Sequence, residues 1–510
     1  MTATETQAQP ERVRLSELQG RSALVVRRPR ELAAGYDAAE TTTDNSRHWA
    51  NADGLSAAAA ASPARRQTLR RRARYEVANN SYARGIVNSL ANDLIGTGPR
   101  LQMRLADPEA NRRIEADFAD WARAIDLPAK LRTLRAAKAQ DGEAFAILTV
   151  NPAVNHPVQL DVALVEADRV ASPFGTEIDP TVEADGIVFD KHNNPRKYYV
   201  QKSHPGDVYA MSMDFDTLKP RDVIHWFRAD RPGQVRGLPD VMPALPLFAQ
   251  LRRYTLAVIA AAEAAADQAL VIQSNEPPND DDETGSPRPV AMDVFELEAR
   301  MATVLPDGFT LGQVKAEQPT TTYGDFKREI LCEIGRCLLM PYNVVAGISA
   351  DYNYASGRLD FQTYDRMLDV EQDHLARVVL DRILARWFYE YVLTTAVPPA
   401  VRHLSIDSMI FTGWHEWYFD GRPHVDPVKT AAANKLNLDT GLETLASLHG
   451  RAGKDWETND EQIAREIGVS VPELRRLRRE KRFPTKPAAP TPAPAPKQKG
   501  PSDADPTQKA

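Results

Sequence analysis

Apolar residues recur at helical spacing over two long stretches near the middle of the chain. The first covers 243–272, where prolines lie in the opening turn and alanines dominate the second half. Proline suits a first turn because the N–H groups there lack an intrahelical partner anyway. The second covers 326–340, carries one apolar stripe and ends before Pro341. The pattern predicts two long helices separated by a loop-rich insert, the first about 45 Å long.

The same spacing predicts further helices on both sides of this pair. Ser356 is a candidate N-cap for a long helix that ends before Pro398. A helix over 108–125 would bury Ile114, Phe118 and Trp121 on one face. The remaining predicted helices begin at Pro63 and cover 81–95, 128–140, 426–450 and 460–482.

The period changes from helical to extended at Asp141–Gly142, which is a turn signal. The segments that follow alternate apolar and polar residues, and Pro, Gly, Asn and Asp separate them. They predict an antiparallel, β-rich subdomain, so the expected class is α+β, mainly α. The predicted strands lie in 143–150, 158–170, 186–190, 196–201, 207–213 and 222–228.

Composition indicates a soluble protein of several domains. The chain has 510 residues, of which 43% are hydrophobic and 26% charged, with a formal net charge of −7. That balance argues against a protein that coats nucleic acid over its whole surface. The N-terminus lacks the apolar stretch of a secretory signal, which predicts a protein kept inside the cell that makes it. Residues 254–272 come nearest to a membrane span, but Glu263 and Asp267 lie within them.

The sequence contains few candidates for catalytic or metal-binding residues. Phosphate-binding loops, nucleophile elbows and Cys/His clusters are missing from the sequence, so the expectation is a protein that is not an enzyme and has no cofactor and no metal. His415 and Glu416 could begin a zinc-protease helix, but Phe419 occupies the place of the second histidine. His225 is more simply a satisfied, half-buried residue than a ligand. The two cysteines are interpreted as small apolar residues in a reducing compartment.

Two basic segments each allow two interpretations. The arginine run over 65–74 is favoured as a solvated or salt-bridged helix face over a direct phosphate contact. Residues 460–482 have the pattern of apolar residues typical of a helix-turn-helix with a basic second helix, which leaves a DNA-binding regulator as the alternative function. A generic two-helix cap has the same pattern, and we favour the cap over the DNA-binding motif.

Several stretches together resemble the lambda-type portal proteins of tailed bacteriophages. They are GYDAAETTTDNSRHW, RRRARYEVANNSYARGIVNSLANDLIGTGPRLQ, DGEAFAIL, LVEADRV, VIHWFRADRPGQVRGLPDVMPAL and CEIGRCLLMPYNVVAGISADYNYASGRLDF. The resemblance covers roughly 30–470. It implies a dodecameric ring with a central DNA channel at one capsid vertex, built in the host cytoplasm from a phage or prophage gene and carried in the virion.

The resemblance also implies a division of the chain into wing, stem, clip and crown. In order, the expected parts are an extended arm (1–64), the wing (65–242), the first stem helix (243–272), the clip (273–318), the second stem helix (319–346), the tunnel loop (347–358), a long wing helix (359–400), a connector with crown helices (401–482) and a disordered Pro/Ala/Lys tail (483–510).

Partners and site residues follow from the same resemblance. The expected partners are further copies of the chain, double-stranded DNA without sequence preference, the terminase large subunit, capsid and scaffold proteins and a head–tail adaptor, with no membrane. The expected sites are a DNA-facing tunnel loop (Ser349, Asp351, Asn353, Tyr354, Ser356, Gly357, Arg358), an acidic stem face (Glu263, Asp267) and a clip that docks terminase or adaptor (Asp280, Asp281, Asp282, Glu283). The tunnel loop offers one cation, which suits sliding DNA better than a tight phosphate clamp.

Overall fold

The computed structural model describes residues 42–43, 46–173, 183–208, 213–266, 270–274, 309–313, 323–350, 354–394, 414–422 and 427–482. The chain divides into two units, 1–55 and 56–510. In the first unit the described residues are exposed, and the rings of His48 and Trp49 meet edge-on with 4.5 Å between centroids. In the second unit most described residues are helical and short strands account for part of the rest, which confirms the α+β, mainly α class.

The N-terminal helices begin and end close to the predicted signals. They are α1 (Ala57–Ala60), α2 (Pro63–Asn79), α3 (Ser81–Ile95), α4 (Pro108–Ala124) and α5 (Leu127–Asp141). Pro63 stands in the first turn of α2, and the side chain of Asn80 accepts the N–H of Tyr82 to start α3. The extended arm predicted over 1–64 is wrong at its end, because helix already begins at Ala57.

The β-rich subdomain is antiparallel, as predicted. Its strands are β2 (Glu143–Val150), β3 (Leu160–Val165), β4 (Glu183–Ala184), β5 (Ile187–Phe189), β6 (Pro195–Gln201), β7 (Phe215–Leu218) and β8 (Val223–Phe227), in sheets ordered β3-β2-β8 and β4-β5-β6-β7. Residues 209–212 of the strand predicted over 207–213 lie outside the described residues, and the described partner of β6 is β7, in which Leu218 pairs with Tyr198 and Phe215 with Gln201. Pairing with β6 selects the residues of β7, and alternation within one segment cannot reveal it.

One further strand pair joins distant parts of the chain. Strand β1 (Arg100–Met103) follows α3 and pairs antiparallel with the strand His415–Tyr418, which lies in the aromatic connector near the C-terminus. Neither strand was predicted, because each has only four residues and gains its stability from the other.

The middle of the chain departs from the prediction at both long helices. Its elements are α6 (Leu245–Ala266), β9 (Leu270–Ser274), β10 (Phe309–Gln313), α7 (Tyr323–Arg336) and α8 (Tyr342–Ala346). The first helix does not reach residue 272, because Leu270–Ser274 pairs antiparallel with β10. The second does not run through to 346, because Pro341 cannot continue a helix and Leu339 takes a φ of 53° at the turn.

The long helix after the predicted tunnel loop is confirmed, with two corrections. It consists of α9 (Tyr354–Leu375), a π-helical turn (Ala376–Leu380) and α10 (Asp381–Thr394). Ser356 therefore lies inside the first turn rather than at the N-cap, and residues 354–358 of the predicted loop are helical. Residues 395–400 of the predicted helix lie outside the described residues.

The long helix crosses the centre of the main hydrophobic core. Trp387 of α10 is fully buried against Phe118 and Trp121 of α4, with ring centroids 5.2 and 6.3 Å away. Tyr391 stacks on Trp387 at 4.7 Å and donates its hydroxyl to Asp117 at 2.7 Å. The predicted burial of Ile114, Phe118 and Trp121 is confirmed.

The C-terminal helices are shorter than predicted. They are α11 (Pro427–Thr440), α12 (Leu445–Arg451), α13 (Trp456–Ile467) and α14 (Val471–Arg482). Gly441 and Gly468 adopt positive φ values of 75° and 69°, so each predicted helix is interrupted at a glycine. A search of the described helices found none with the length and apolar character to cross a bilayer.

Candidate functional site

The predicted stem helices lie side by side through aromatic contacts. Tyr254 of α6 meets Phe326 of α7 with 4.6 Å between ring centroids. The hydroxyls of Thr255 and Tyr323 are 3.2 Å apart and share a hydrogen bond. Beyond these contacts the chain extends into the β9–β10 pair. Helices α6 and α7 thus pack side by side. The paired strands β9 and β10 lie between them in the chain.

Cation–π contacts attach this pair to the N-terminal helices. The guanidinium of Arg252 lies over the ring of Tyr75 in α2, 5.6 Å from its centroid. The ammonium of Lys327 lies 5.1 Å from the centroid of Tyr82 in α3. Such contacts contribute about 0.5–1 kcal/mol each at exposed sites. They connect α6 to α2 and α7 to α3.

Both helices of the pair expose apolar side chains to solvent. Leu256 and Ile259 of α6 are 60% and 48% exposed, and Phe326 of α7 is 44% exposed. We call these three residues the stem stripe. Alanines such as Ala257 and Ala260 lie between them and are also exposed. An apolar stripe with small residues is the kind of surface that another helix can approach closely.

The predicted acidic stem face is only partly within the described residues. Glu263 is exposed on the last turns of α6. The described part of this helix ends at Ala266. Asp267 itself and the four clip carboxylates lie outside the described residues, and their roles stay predictions. The clip residues are Asp280, Asp281, Asp282 and Glu283.

The predicted tunnel loop is shorter than expected. Gly347 ends α8 in the left-handed region at a φ of 68°, and Ser349 follows as an exposed residue. Asp351 and Asn353 lie outside the described residues, and helix α9 begins at Tyr354. The side chains of Tyr354 and Ser356 are likewise outside the description. Arg358 is exposed on the first turns of α9, so the one cation of this segment is held on a helix.

A buried ion cluster lies where α2 and α5 meet the β-rich subdomain. Glu143, the first residue of β2, is fully buried and receives two hydrogen bonds of 2.8 Å from the guanidinium of Arg236. Arg70 of α2 pairs with the same carboxylate. His225 lies 3.0 Å from its second oxygen, and the N–H of Gly237 donates to that oxygen at 3.2 Å. We call the set around Glu143 the carboxylate cluster.

The charges in this cluster determine its protonation. Burial alone would raise the pKa of Glu143, but Arg236, His225 and Arg70 outweigh burial and hold the pKa well below its usual range. Burial lowers the pKa of His225 more than Glu143 raises it. Glu143 is therefore a carboxylate between two guanidinium groups, and His225 is neutral near pH 7.

Helix α2 contributes a row of arginines to the cluster. Arg66, Arg70 and Arg74 follow each other at intervals of four residues and so share one face. Arg74 donates two hydrogen bonds to Asp141 at 2.7 and 2.8 Å, and Arg66 pairs with Asp185. The salt-bridged interpretation of the arginine run is confirmed for these three. Arg65, Arg71 and Arg72 face solvent.

Two glycines allow the backbone segments to meet at the cluster. Gly142 has a φ of 90°, and a Cβ there would lie 2.4 Å from the backbone of Leu238. A Cβ on Gly237 would lie 2.0 Å from the carbonyl oxygen of Gly142. Any other residue at either position would separate the two segments and withdraw Arg236 from Glu143.

Most of the stretches that carry the family resemblance meet at this cluster. Arg70 lies in RRRARYEV, Glu143 in DGEAFAIL, Asp168 in LVEADRV and Arg236 in the run that leads into α6. The sequence did not identify Glu143 or Arg236 as partners. The signal that could have done so is the recurrence of charged residues inside otherwise apolar, Gly-bounded segments.

A second buried ion set ties α5 to the stem and the long helix. Arg135 pairs with Asp240 at 2.9 Å, and Lys138 pairs with Glu371 of α9 at 2.5 Å. Lys138 also lies 5.2 Å from the ring centroid of Trp226. Burial alone would raise the pKa of Asp240, but Lys138 and Arg135 lower it. Asp240 therefore stays ionised just before the chain enters α6.

Glu166, Asp168 and His204 come within reach of a single metal ion, and the guanidinium groups of Arg70 and Arg74 already contact Asp168. Their ligand atoms lie within 4.8 Å of one another. Nδ1 of His204 accepts the N–H of Gly206 at 3.0 Å, so in the neutral ring Nε2 carries the proton that faces Glu166 at 3.1 Å. The guanidinium of Arg74 lies 2.8 Å from a carboxylate oxygen of Asp168. The two guanidinium groups on Asp168 make the three residues an extension of the carboxylate cluster.

The C-terminal helix pair uses its arginines internally. Asp460 of α13 is buried and pairs with Arg475, at 3.1 Å, and with Arg478 of α14. Arg475 also lies 4.5 Å from the ring centroid of Trp456. Arginines held in this way are poorly placed to read base edges. The arrangement favours a two-helix cap over a DNA-reading helix-turn-helix.

Comparisons with known proteins agree on one family. The family model described as phage portal protein, lambda family, matches residues 43–372. A probable portal protein of Halomonas phage phiHAP-1 is 24% identical over 432 residues, which cover 79% of this chain and 80% of that protein.

Solved structures show weaker likeness. The neck of an empty GTA particle has a TM-score of 0.40 at 16% identity, covering 75% of this chain and 92% of the other. An HK97 family phage portal protein from Corynebacterium diphtheriae has a TM-score of 0.27 at 10% identity, covering 70% and 95%. Scores this low support no conclusion about the fold. The assignment to a family therefore rests on the match of the sequence to the family model.

Proposed function

The chain belongs to the lambda family of phage portal proteins, and on this premise we propose that it forms a dodecameric ring around a DNA channel at one vertex of a capsid. Portal proteins are structural components of the phage particle and not an enzyme class. In this proposal the ring lets the genome enter during packaging and leave during ejection. ATP hydrolysis belongs to a separate motor, the terminase.

The observation that carries this proposal is the extent of the family match. Residues 43–372 include the carboxylate cluster, both predicted stem helices and the start of the long helix. The exposed stem stripe adds physical support, since an apolar helix face needs a cover and a ring supplies identical neighbours. In such a ring, the stem helices of each copy would contact one neighbouring copy on each side.

The proposed parts of the subunit follow the predicted division, with boundaries adjusted to the helices. We propose a stem made of Leu245–Ala266 and Tyr323–Arg336, and a clip between them that contacts terminase during packaging and the head–tail adaptor afterwards. The wing would contact capsid and scaffold proteins, and the crown would comprise the helices over 427–482.

The tunnel segment in this proposal touches DNA weakly. Its predicted DNA-facing side chains that the structure describes are the exposed Ser349 and, on the first turns of α9, the exposed Arg358. Each lysine or arginine that neutralises a phosphate adds affinity and salt dependence, so one cation per subunit permits sliding without a tight clamp. The DNA passing through is recognised by its charge and not by its sequence.

Electron microscopy of the purified full-length protein tests the ring. We expect negatively stained particles with a central hole and a mass near twelve times the 56.6 kDa of one chain, because the stem stripe gains its cover only in a closed assembly. A monomer or dimer that binds one DNA sequence selectively would instead support the regulatory alternative built on residues 460–482.

The acidic stem face has a separate test. If Glu263 and Asp267 form an acidic belt that repels phosphates from the channel wall, the E263A/D267N variant should package DNA more slowly in a reconstituted packaging reaction. The charge-matched control E109A/D120N changes two carboxylates on α4, of which Glu109 and Asp120 are exposed. Equal packaging rates for wild type and E263A/D267N would remove the belt from the mechanism.

A further inference from the structure

A basic groove lies at the end of the β6–β7 hairpin in the β-rich subdomain. Its volume is about 500 Å³, and four of its seven lining residues are lysine or arginine. These four, all exposed, are Arg196, Lys197, Lys219 and Arg221. The other three are Thr217, Leu218 and Pro220. The lining thus concentrates positive charge in a chain whose net charge is −7.

Little of this charge is neutralised within the subunit. Among the residues that the structure describes, the ion pair made by these four side chains is from Arg221 to Asp222, at 3.7 Å, with Arg221 73% exposed. The N–H of Asn194 and, to a smaller extent, Arg196 lower the pKa of Asp190. Lys197 and Lys219 face solvent, and the described residues give neither of them an acidic partner within ion-pair distance.

The groove has a fixed backbone. Arg382 of α10 donates hydrogen bonds to the carbonyls of Pro220, at 3.3 Å, and Val223, at 2.9 Å. Tyr198 is buried beneath the strand pair and aligns with Leu218. The turn that carries Lys219 and Arg221 is therefore tied to the core helix, so the cations are presented on a rigid wall.

We propose that this groove binds the phosphate backbone of double-stranded DNA without regard to sequence. Lysine and arginine are the residues that neutralise phosphates, and four such contacts suit a weak, salt-sensitive attachment. Single-stranded nucleic acid fits less well, because the lining includes no aromatic ring on which a base could stack. An acidic protein also fits less well, since protein interfaces are depleted of lysine in their cores.

This binding goes beyond passage through the channel, because the groove is complete within one subunit. In the phage particle it would give packaged or entering DNA a second point of contact with the protein. DNA binding by the groove is tested by the affinity of the protein for DNA, whereas the proposed ring is tested by the shape of the particles. Either proposal can therefore be contradicted while the other is supported.

Fluorescence anisotropy with a short labelled DNA duplex tests the groove in the full-length protein. The K197Q/K219Q variant should bind about tenfold more weakly at low salt, and the slope of log affinity against log salt should become less steep by roughly 2, as expected for two lost phosphate contacts. The side chains are exposed, so the variant should keep the wild-type melting temperature and particle shape.

The matched control K435Q/K454Q removes two exposed lysines from the C-terminal helical region. It should bind DNA as the wild type does. Equal affinities for wild type and K197Q/K219Q, or an equal loss in the control, would overturn the proposal. Displacement of the duplex by polyglutamate at the same charge concentration would also overturn it, in favour of an acidic protein partner.

Discussion

Replacing Glu143 by glutamine is expected to lower the free energy of unfolding by about 3–5 kcal/mol. Glutamine has nearly the same shape, so the packing is kept while the negative charge is lost. Arg236 is 1% exposed and Arg70 is 5% exposed at their side chains, and both guanidinium groups would lose their central counter-charge. An unpaired buried charge costs more than the ion pair contributes, which is why this single change should matter.

The effect of this substitution should depend on pH. The pKa of Glu143 is held below its usual value of about 4.5 in the folded protein. Its contribution to stability is therefore fully present above about pH 4.5 and is lost as the pH falls through the folded value. The difference between wild type and E143Q should shrink in acid, because wild-type Glu143 then becomes neutral too.

Denaturant unfolding followed by tryptophan fluorescence measures the difference, since Trp226 is buried and pairs with Ala144 next to the cluster. The control is D373N, which breaks an exposed pair between Asp373 of α9 and Arg377 of the π-helical turn. Exposed pairs contribute at most about 1 kcal/mol. Equal stability losses for E143Q and D373N would show that the carboxylate cluster is not a principal stabilising element.

Charging the stem stripe is expected to abolish the ring. In the double variant L256E/I259E, each subunit would place two carboxylates on the proposed contact between neighbours. Burying an unpaired charge costs several kcal/mol, and every interface of a symmetric ring carries the same defect. The single subunit should keep its fold, because both positions are about half exposed or more and exposed substitutions usually change stability by less than about 0.5 kcal/mol.

Native mass spectrometry measures the assembly, and circular dichroism checks the fold. The control V150E/V208E makes the same chemical change on the β-rich subdomain, where Val150 and Val208 are 52% and 82% exposed. We expect rings from the control and single chains from L256E/I259E. Intact rings from L256E/I259E would show that the stem stripe lies outside the contact between subunits.

Local signals explain why the N-terminal helices were predicted well. Pro63, Asn80 and Pro108 act within one turn of the helix that each begins, so their effect is visible in a short window of sequence. The strand at Glu143 is similarly marked by the Asp141–Gly142 turn. Errors cluster where the outcome depends on a distant partner, as for β7 and for residues 270–272.

The candidate site was predictable only in part. The arginine run was predicted to be a solvated or salt-bridged helix face, and His225 a satisfied residue, and both predictions are confirmed. The partner carboxylate Glu143 was not foreseen. Arg70, Glu143 and Arg236 lie far apart in the chain, and nothing in one segment specifies which charge of another segment it will meet.

The sequence by itself determined the helical and extended segments and the family, because periodicity, caps and turns are local and the family motifs are read residue by residue. It also predicted the pair of central helices. Only the tertiary structure decided that the first ends at Ala266, that the second ends at Arg336, and that the charged motifs converge on Glu143. Strand pairing and ion pairing join residues distant in the chain, so their geometry exists only once the chain has folded.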